Sequence, residues 1–153
     1  MHSTLIVLND LLLFACVSMY FGTGWSLVLF SFPSGKTLTV ENYYDQFVPQ
    51  VTAATKFFTW MTSLMIAAAI VMTVSEWHDR VWAPLIVLGG VIAATGLTVV
   101  AILPLNKVMA GHIKDPKLLD STLTRWMALN RIRVALWTAQ WLAIATYIGL
   151  ALG

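Results

Sequence analysis

Four long runs that are nearly free of charged residues constrain the fold of this chain more than any other feature. They cover residues 11–32, 57–74, 81–103 and 134–152, and each is long enough to cross a hydrocarbon core of about 30 Å as a helix. The composition agrees, because 59% of the residues are hydrophobic and only 10% are charged, whereas soluble proteins average about 25% charged residues. The sequence therefore predicts an all-α fold in which residues 1–153 form a single transmembrane domain, a four-helix bundle.

The fourth run is expected to belong to a longer helix. Asp115-Pro116 is a typical helix start, with Asp115 as the N-cap and Pro116 in the first turn, and nothing breaks the helical pattern before Gly149. The helix of span four is therefore predicted to begin at about residue 116 and to hold its first turns in or above the headgroups. Asp79 precedes span three and is its predicted N-cap, because an Asp side chain can accept hydrogen bonds from the first N–H groups of a helix.

Basic residues are concentrated in the segments that four spans would place on one side of the membrane. The opposite side has only Arg80 and the N-terminal amine. By the positive-inside rule, loops one and three then lie in the cytoplasm and both termini lie outside, and the bacterial inner (plasma) membrane is the expected location. The basic residues on the predicted cytoplasmic side are Lys36, Lys56, Lys107, Lys114, Lys117, Arg125, Arg131 and Arg133.

The first loop carries an amphipathic helical pattern. Its apolar residues recur at intervals of three and four, and Pro49 is expected to interrupt the pattern. One interpretation is a membrane-surface segment with aromatic anchors. The other is a lid over a site between the helices, in which Tyr43 and Tyr44 contact a ligand. The apolar positions of this pattern are Val40, Tyr43, Tyr44, Phe47, Val48 and Val51.

The sequence offers no constellation for a metal, a haem or a nucleotide. The three histidines, His2, His78 and His112, lie outside the spans, whereas a haem in a helical bundle usually needs axial His or Met ligands on facing helices. A buried metal site would require clustered His, Cys or carboxylate side chains, and the single cysteine is Cys16. We therefore expect no metal and no other cofactor, and no nucleic acid among the partners.

The two halves of the chain share a short motif. Pro33-x-x-Lys36 followed by Lys56-x-x-x-Trp60 resembles Pro104-x-x-Lys107 followed by Arg133-x-x-x-Trp137. A duplicated helical hairpin would produce this pattern. Basic residues at the cytoplasmic ends of spans are common, however, so a chance similarity stays open as the alternative.

The start of the fourth run places polar residues on one helix face. Trp126, Asn130, Arg133 and Trp137 recur at intervals of three and four, and Asn106 leaves span three on the same side of the membrane. In one interpretation Trp126 is an interfacial anchor and Arg133 reaches the headgroups. In the other, the face lines a polar site. The candidate partners of Arg133 are Asn106, Asn130, Glu41, Asp45 and a helix-end carbonyl.

The segment from Thr98 to Lys107, with its Pro-Leu-Asn triplet, followed by Trp126-x-x-x-Asn130-x-x-Arg133, resembles the anthrone oxygenase-like family of small four-helix membrane proteins. The resemblance covers most of the chain, although Ala101 and Ile102 stand where the family often has an asparagine. It implies a four-helix membrane protein. For the best-described members it also implies oxidation of a phenolic anthrone to an anthraquinone by dioxygen, without an evident cofactor. The functional candidates that it implies are Asn106, Trp126, Asn130 and Arg133.

The resemblance leads to a mechanism for the polar cluster. An anthrone is a carbon acid, and Arg133 would stabilise the oxyanion of its enolate, with Asn130 and Asn106 as hydrogen-bond donors. Trp126 and Trp137 would stack on the flat ring system. The candidate general bases are Glu41, Asp45 and water.

Two functions stay open at this point. The first is a membrane protein that binds or oxidises a flat hydrophobic phenol, anthrone or quinone, with the lipid bilayer and this small molecule as its partners. The second is a non-catalytic accessory subunit in a homo-oligomer or a larger membrane complex. A cavity near Asn106, Asn130 and Arg133 would favour the first function. A filled bundle in which Arg133 is paired with Glu41 or Asp45 would favour the second.

Overall fold

The computed structural model describes residues 4–78 and 80–152, and this part of the chain is built from four long helices without a strand. The helices α1 to α3 are long and apolar enough to cross a membrane, which confirms three of the predicted spans by length and composition. The prediction of an all-α, four-helix fold is also confirmed. Asp79, the predicted cap of the third span, lies outside the described residues. The helices are α1 (Thr4–Gly35), α2 (Tyr43–Ser75), α3 (Trp82–Ala110) and α4 (Pro116–Leu152).

The helix α4 begins where the sequence predicts. Asp115 Oδ1 accepts a hydrogen bond from the Lys117 N–H at 3.0 Å, which is a capping bond, and Pro116 occupies the first helical position. The helix has 37 residues and is therefore about 55 Å long at 1.5 Å per residue. It extends well beyond the apolar run 134–152 that it contains.

The four helices form a ring. The helix α1 packs against α2 and α4, and α3 packs against the same two helices, so α2 and α4 lie diagonally opposite each other. We call the end of the bundle with the first and third loops the basic end, and the end with the second loop the opposite end. Toward the opposite end, buried side chains fill the core, and they include Leu13, Met72 and Val87. Methionine suits this role because its unbranched side chain adapts to irregular gaps.

Gly24 allows α1 and α4 to approach closely. A Cβ atom at this position would lie 2.8 Å from Cε3 of Trp137, which is shorter than any ordinary carbon–carbon contact. At Gly22, by contrast, a Cβ atom would meet nothing within 4 Å. The indole of Trp137 therefore lies where it does because residue 24 has no side chain.

Both α1 and α3 contain one π-turn just before a proline. The π-turns cover Leu27–Ser31 and Thr98–Ile102, and they stand at the same position relative to Pro33 and Pro104. A proline has no N–H to donate to the carbonyl one turn earlier, and the wider hydrogen-bond pattern of a π-turn accommodates this loss. Both helices continue past the proline, and α3 does so by more than one turn. The matching turns support the hypothesis of a duplicated helical hairpin.

The amphipathic segment of the first loop continues into α2. Pro49 lies inside this helix, so the predicted interruption at Pro49 is wrong. The turn before the proline is held by tertiary contacts, because Tyr43 is buried and the Phe47 ring packs edge-on against Trp126 with centroids 4.9 Å apart. These contacts offset the single backbone hydrogen bond that a proline removes.

Candidate functional site

A cavity of about 910 Å³ opens between the four helices toward the basic end. Both π-turns border it, through Ser31 on α1 and through Thr98 and Ile102 on α3. Such turns often occur at functional sites, and the volume lies within the range of about 300–1,000 Å³ that is usual for ligand pockets. The polar side chains that border the cavity include Tyr20, Gln46, Gln50, Thr62, Asn106 and Arg133.

Arg133 brings a positive charge to the wall of this cavity. Its Cζ lies 4.6 Å from the centre of the Trp137 ring, and its Nη1 donates a hydrogen bond to Thr98 Oγ1 at 3.2 Å. The Thr98 hydroxyl donates its own proton to the Ala94 carbonyl at 2.7 Å, so a lone pair of its oxygen is free for Arg133.

The charge of Arg133 is not neutralised by a carboxylate. Within residues 4–78 and 80–150, no ion pair joins the Arg133 guanidinium to Asp or Glu, and its buried Nε has no hydrogen-bond partner. Removing a cation from water is costly unless an anion or several polar groups replace the lost hydration. A cavity with these properties favours a ligand that brings an anionic or strongly polar oxygen to Arg133.

Tyr20, Phe58 and Trp137 form an aromatic layer beside Arg133. The Tyr20 ring centroid lies 4.9 Å from that of Phe58 and 5.0 Å from that of Trp137. The Tyr20 hydroxyl donates to the Phe58 carbonyl at 3.0 Å and is also hydrogen bonded to the Thr62 hydroxyl. Because Arg133 and the two rings cover it, Trp137 is only 4% exposed. A flat ligand that stacks on Trp137, as expected from the sequence, must displace one of these neighbours.

Sequence reasoning alone does not identify Tyr20, Thr62 or Thr98 as site residues. A weak signal for Tyr20 does exist. A phenol in the middle of an apolar span needs a hydrogen-bond partner, and Gly24 follows one helical turn later on the same face, where a neighbouring helix can approach. For Thr98 and Thr62 there is no comparable signal, because threonine is common in spans and usually hydrogen bonds within its own helix.

Trp126 and Asn106 are brought together as the sequence indicated. The Trp126 Nε1 donates to Asn106 Oδ1 at 2.9 Å, and both residues border the cavity. The rings of Phe47 and Phe32 pack edge-on against the Trp126 ring, with centroid distances of 4.9 and 5.9 Å. Asn106 therefore fixes the indole of Trp126, whereas the hydrogen bond of Arg133 goes to Thr98.

Asn130 precedes the cavity residue Arg133 by three positions in the sequence, but its own side chain does not border the cavity. Its side chain is fully buried, and its Nδ2 donates to the Trp126 carbonyl of the same helix at 2.8 Å. Among the described residues, Oδ1 of Asn130 has no hydrogen-bond partner. The Asn130 side chain is therefore not part of the cavity lining, and its role as hydrogen-bond donor to a ligand stays a prediction.

Tyr43 and Tyr44 hold the third loop and do not border the cavity. The Tyr43 hydroxyl donates to the Met109 carbonyl at 3.0 Å and accepts a hydrogen bond from the Ile113 N–H. The Tyr44 ring stacks on His112 with centroids 3.5 Å apart. These contacts tie the start of α2 to the loop between α3 and α4, and ligand contacts of the two tyrosines stay a prediction.

Glu41 and Asp45 are both exposed and lie outside the lining of the cavity. A hydrogen bond from the Thr39 side chain, and a second one from the backbone of Glu41 itself, lower the pKa of the Glu41 carboxyl. A lower pKa makes this carboxylate a weaker base. The structure therefore does not bring either predicted carboxylate to Arg133.

Within the described residues, no group of three or more His, Cys, Asp or Glu side chains has the proximity needed to hold a metal ion.

Comparison of the chain with protein-family models, curated proteins and solved structures finds no match. What the protein does has to be inferred from the cavity around Arg133.

Proposed function

We propose that this chain binds a flat, hydrophobic aromatic molecule with a negatively polarised oxygen, of the phenol, anthrone or quinone type, in the cavity around Arg133. One observation carries the proposal: a guanidinium without a carboxylate partner in the described chain borders a cavity of about 910 Å³. The aromatic rings around it supply apolar contact area. The oxygen of the ligand then provides the counter-charge that the protein does not.

The membrane arrangement is part of the same proposal. The helix α4 acts as the fourth span through its apolar run 134–152, and its first turns rise above the membrane because the helix is about 55 Å long. The basic end faces the cytoplasm, in a bacterial inner membrane. Arg133 then lies near the cytoplasmic interface, where a charge costs much less than at the bilayer centre.

The reaction that we propose is oxidation of an anthrone by dioxygen. The ring CH₂ loses both hydrogens and becomes a second carbonyl, one oxygen atom of O₂ enters that carbonyl, and the other leaves as water. The first step is loss of a proton to give the enolate, whose oxyanion Arg133 stabilises. Glu41 and Asp45 lie outside the cavity lining, so water in the cavity accepts the proton.

The alternative, a non-catalytic accessory subunit, fits the geometry less well. It calls for a filled bundle with Arg133 paired to Glu41 or Asp45. These two carboxylates are exposed, and the space beside Arg133 is large enough for several fused rings.

The proposal is tested with the purified protein in lipid nanodiscs and 1,8-dihydroxy-9-anthrone as substrate. We expect quinone absorbance and oxygen uptake above the autoxidation rate, and a loss of about 100-fold or more in Arg133→Ala, as for other oxyanion-stabilising groups. Arg125→Ala, an exposed arginine of the same helix, should keep the wild-type rate. A folded Arg133→Ala variant that oxidises the anthrone as fast as wild type would overturn the reaction.

A further inference from the structure

We infer that three hydroxyl-bearing residues on the α2 wall of the cavity, which lie beyond the amide side chains of Gln46 and Gln50 along the helix, form a hydrogen-bond acceptor surface that selects ligands carrying hydroxyl donors. This inference rests on the proposed function, because it concerns the same cavity. The residues that form the surface are Thr55, Thr59 and Ser63, which we call the hydroxyl ladder. They follow one another at intervals of four and therefore lie on one face of α2, and all three border the cavity.

Each hydroxyl group of the ladder donates its proton to a backbone carbonyl of α2. Thr55 donates to the Val51 carbonyl at 2.7 Å, Thr59 to the Thr55 carbonyl at 2.7 Å, and Ser63 to the Thr59 carbonyl at 3.3 Å. A hydroxyl group has one proton and two acceptor lone pairs. With the proton held by the helix backbone, each oxygen presents only lone pairs to a ligand.

The guanidinium of Arg133 has the reverse polarity. Arg133 is a donor without any acceptor, and it belongs to α4, which lies diagonally across the ring from α2. A ligand that satisfies both walls has an acceptor oxygen for Arg133 and a hydroxyl for the ladder. Hydroxylated aromatic ketones meet both requirements, whereas their methyl ethers meet only the first.

Thr52 provides an internal control for the ladder. It makes the same type of hydrogen bond, to the Val48 carbonyl at 2.9 Å, but it does not border the cavity. Replacement of threonine by valine keeps the shape of the side chain and removes the acceptor oxygen. The variants Thr55→Val, Thr59→Val and Thr52→Val therefore separate an effect on the ligand from an effect on the helix.

The test is a binding titration in nanodiscs, followed by tryptophan fluorescence, with two redox-stable ligands: 2,6-dihydroxyanthraquinone and its dimethyl ether. The wild type should bind the dihydroxy compound more tightly. Thr55→Val and Thr59→Val should each weaken that binding by roughly threefold to tenfold, the value of one neutral hydrogen bond. The affinity for the dimethyl ether should stay constant, and Thr52→Val should change neither affinity.

Two outcomes overturn the inference in distinguishable ways. If the dihydroxy compound binds in an Arg133-dependent manner but Thr55→Val and Thr59→Val do not weaken it, or weaken both ligands equally, the acceptor surface is refuted and the proposed binding site stands. If the wild type binds neither ligand, the binding site and the ladder both fail. Equal melting temperatures of all variants establish that the folds are comparable.

Discussion

The two ends of the bundle hold their charged residues in different ways. At the opposite end the Tyr147 side chain is hydrogen bonded to Glu76, with the charges of Asp10 and Arg80 close by, and Glu76 is only 4% exposed. At the basic end the cation of Arg133 has a hydroxyl and a ring as neighbours and a cavity in front of it. In the cluster of mixed sign, the protein supplies the opposite charges itself, whereas the half-buried cation of Arg133 faces a cavity and is suited to a ligand.

Packing also differs between the two ends of the bundle, because the opposite end is filled and the basic end holds a cavity. Near the opposite end the side chains of Leu13, Met72 and Val87 are fully buried. Near the basic end, two π-turns and a set of hydroxyl-bearing residues border open space. The opposite half is therefore filled by side chains, whereas the basic half holds the cavity.

Truncation of an α1 leucine should cost much more stability in the filled half than in the half with the cavity. Leu13→Ala removes a side chain from the filled half and should lower the free energy of unfolding by about 2–5 kcal/mol. Leu27→Ala, on the cavity wall, enlarges space that already exists and should cost about 1 kcal/mol. Unfolding by SDS in mixed micelles, followed by circular dichroism, measures both values. Equal losses would mean that the two halves are packed alike.

A methyl group at Gly24 tests the contact that joins the halves. Because a Cβ atom there would lie 2.8 Å from the Trp137 ring, Gly24→Ala should destabilise the bundle by about 1–3 kcal/mol. Gly22→Ala is the matched control, since a Cβ atom at Gly22 would meet nothing within 4 Å. The same micellar unfolding measurement applies. A Gly24→Ala variant as stable as Gly22→Ala would contradict the position of Trp137.

The hydrogen bond from Trp126 to Asn106 should contribute less. Trp126→Phe removes the donor but keeps an aromatic ring between Phe32 and Phe47, so we expect a loss of about 0.5–1.5 kcal/mol. Asn106→Leu leaves the indole N–H without its acceptor and should cost more, about 1–3 kcal/mol. A thermal melt of the two variants side by side checks this order. The reverse order would show that the indole finds another acceptor.

The elements that sequence reasoning predicts well are those that depend on local patterns. The apolar runs predict the helices, and the Asp115-Pro116 pair predicts the start of α4, where the capping bond is found. Helix continuity at Pro49 was not predictable in this way, because contacts of Tyr43 and Phe47 with distant parts of the chain decide it.

Sequence reasoning identified some of the residues that border the cavity, namely those whose position follows from helical spacing. Trp126, Arg133 and Trp137 border the same cavity because helical spacing places them on one face of α4, and Asn106 borders it from α3. The contributions of Tyr20, Thr62 and Thr98 depend on how the helices are rotated and on the π-turns, which no local pattern encodes. Helical spacing also does not determine side-chain rotamers. Asn130 is therefore expected on the same helix face as Arg133, but its side chain donates a hydrogen bond to a carbonyl of its own helix.

The basic half of the bundle is open at Arg133, and the opposite half is closed. Because the chain has one cysteine, a Cys16→Ala background allows single cysteines to be placed at Thr98, which borders the cavity, and at Thr73, which is buried in the filled half. The measurement is the rate of modification by a small, water-soluble methanethiosulfonate in nanodiscs. We predict rapid modification of Thr98→Cys, slowed by 2,6-dihydroxyanthraquinone, and almost none of Thr73→Cys. Equal rates at the two positions, or an unreactive Thr98→Cys, would contradict the claim.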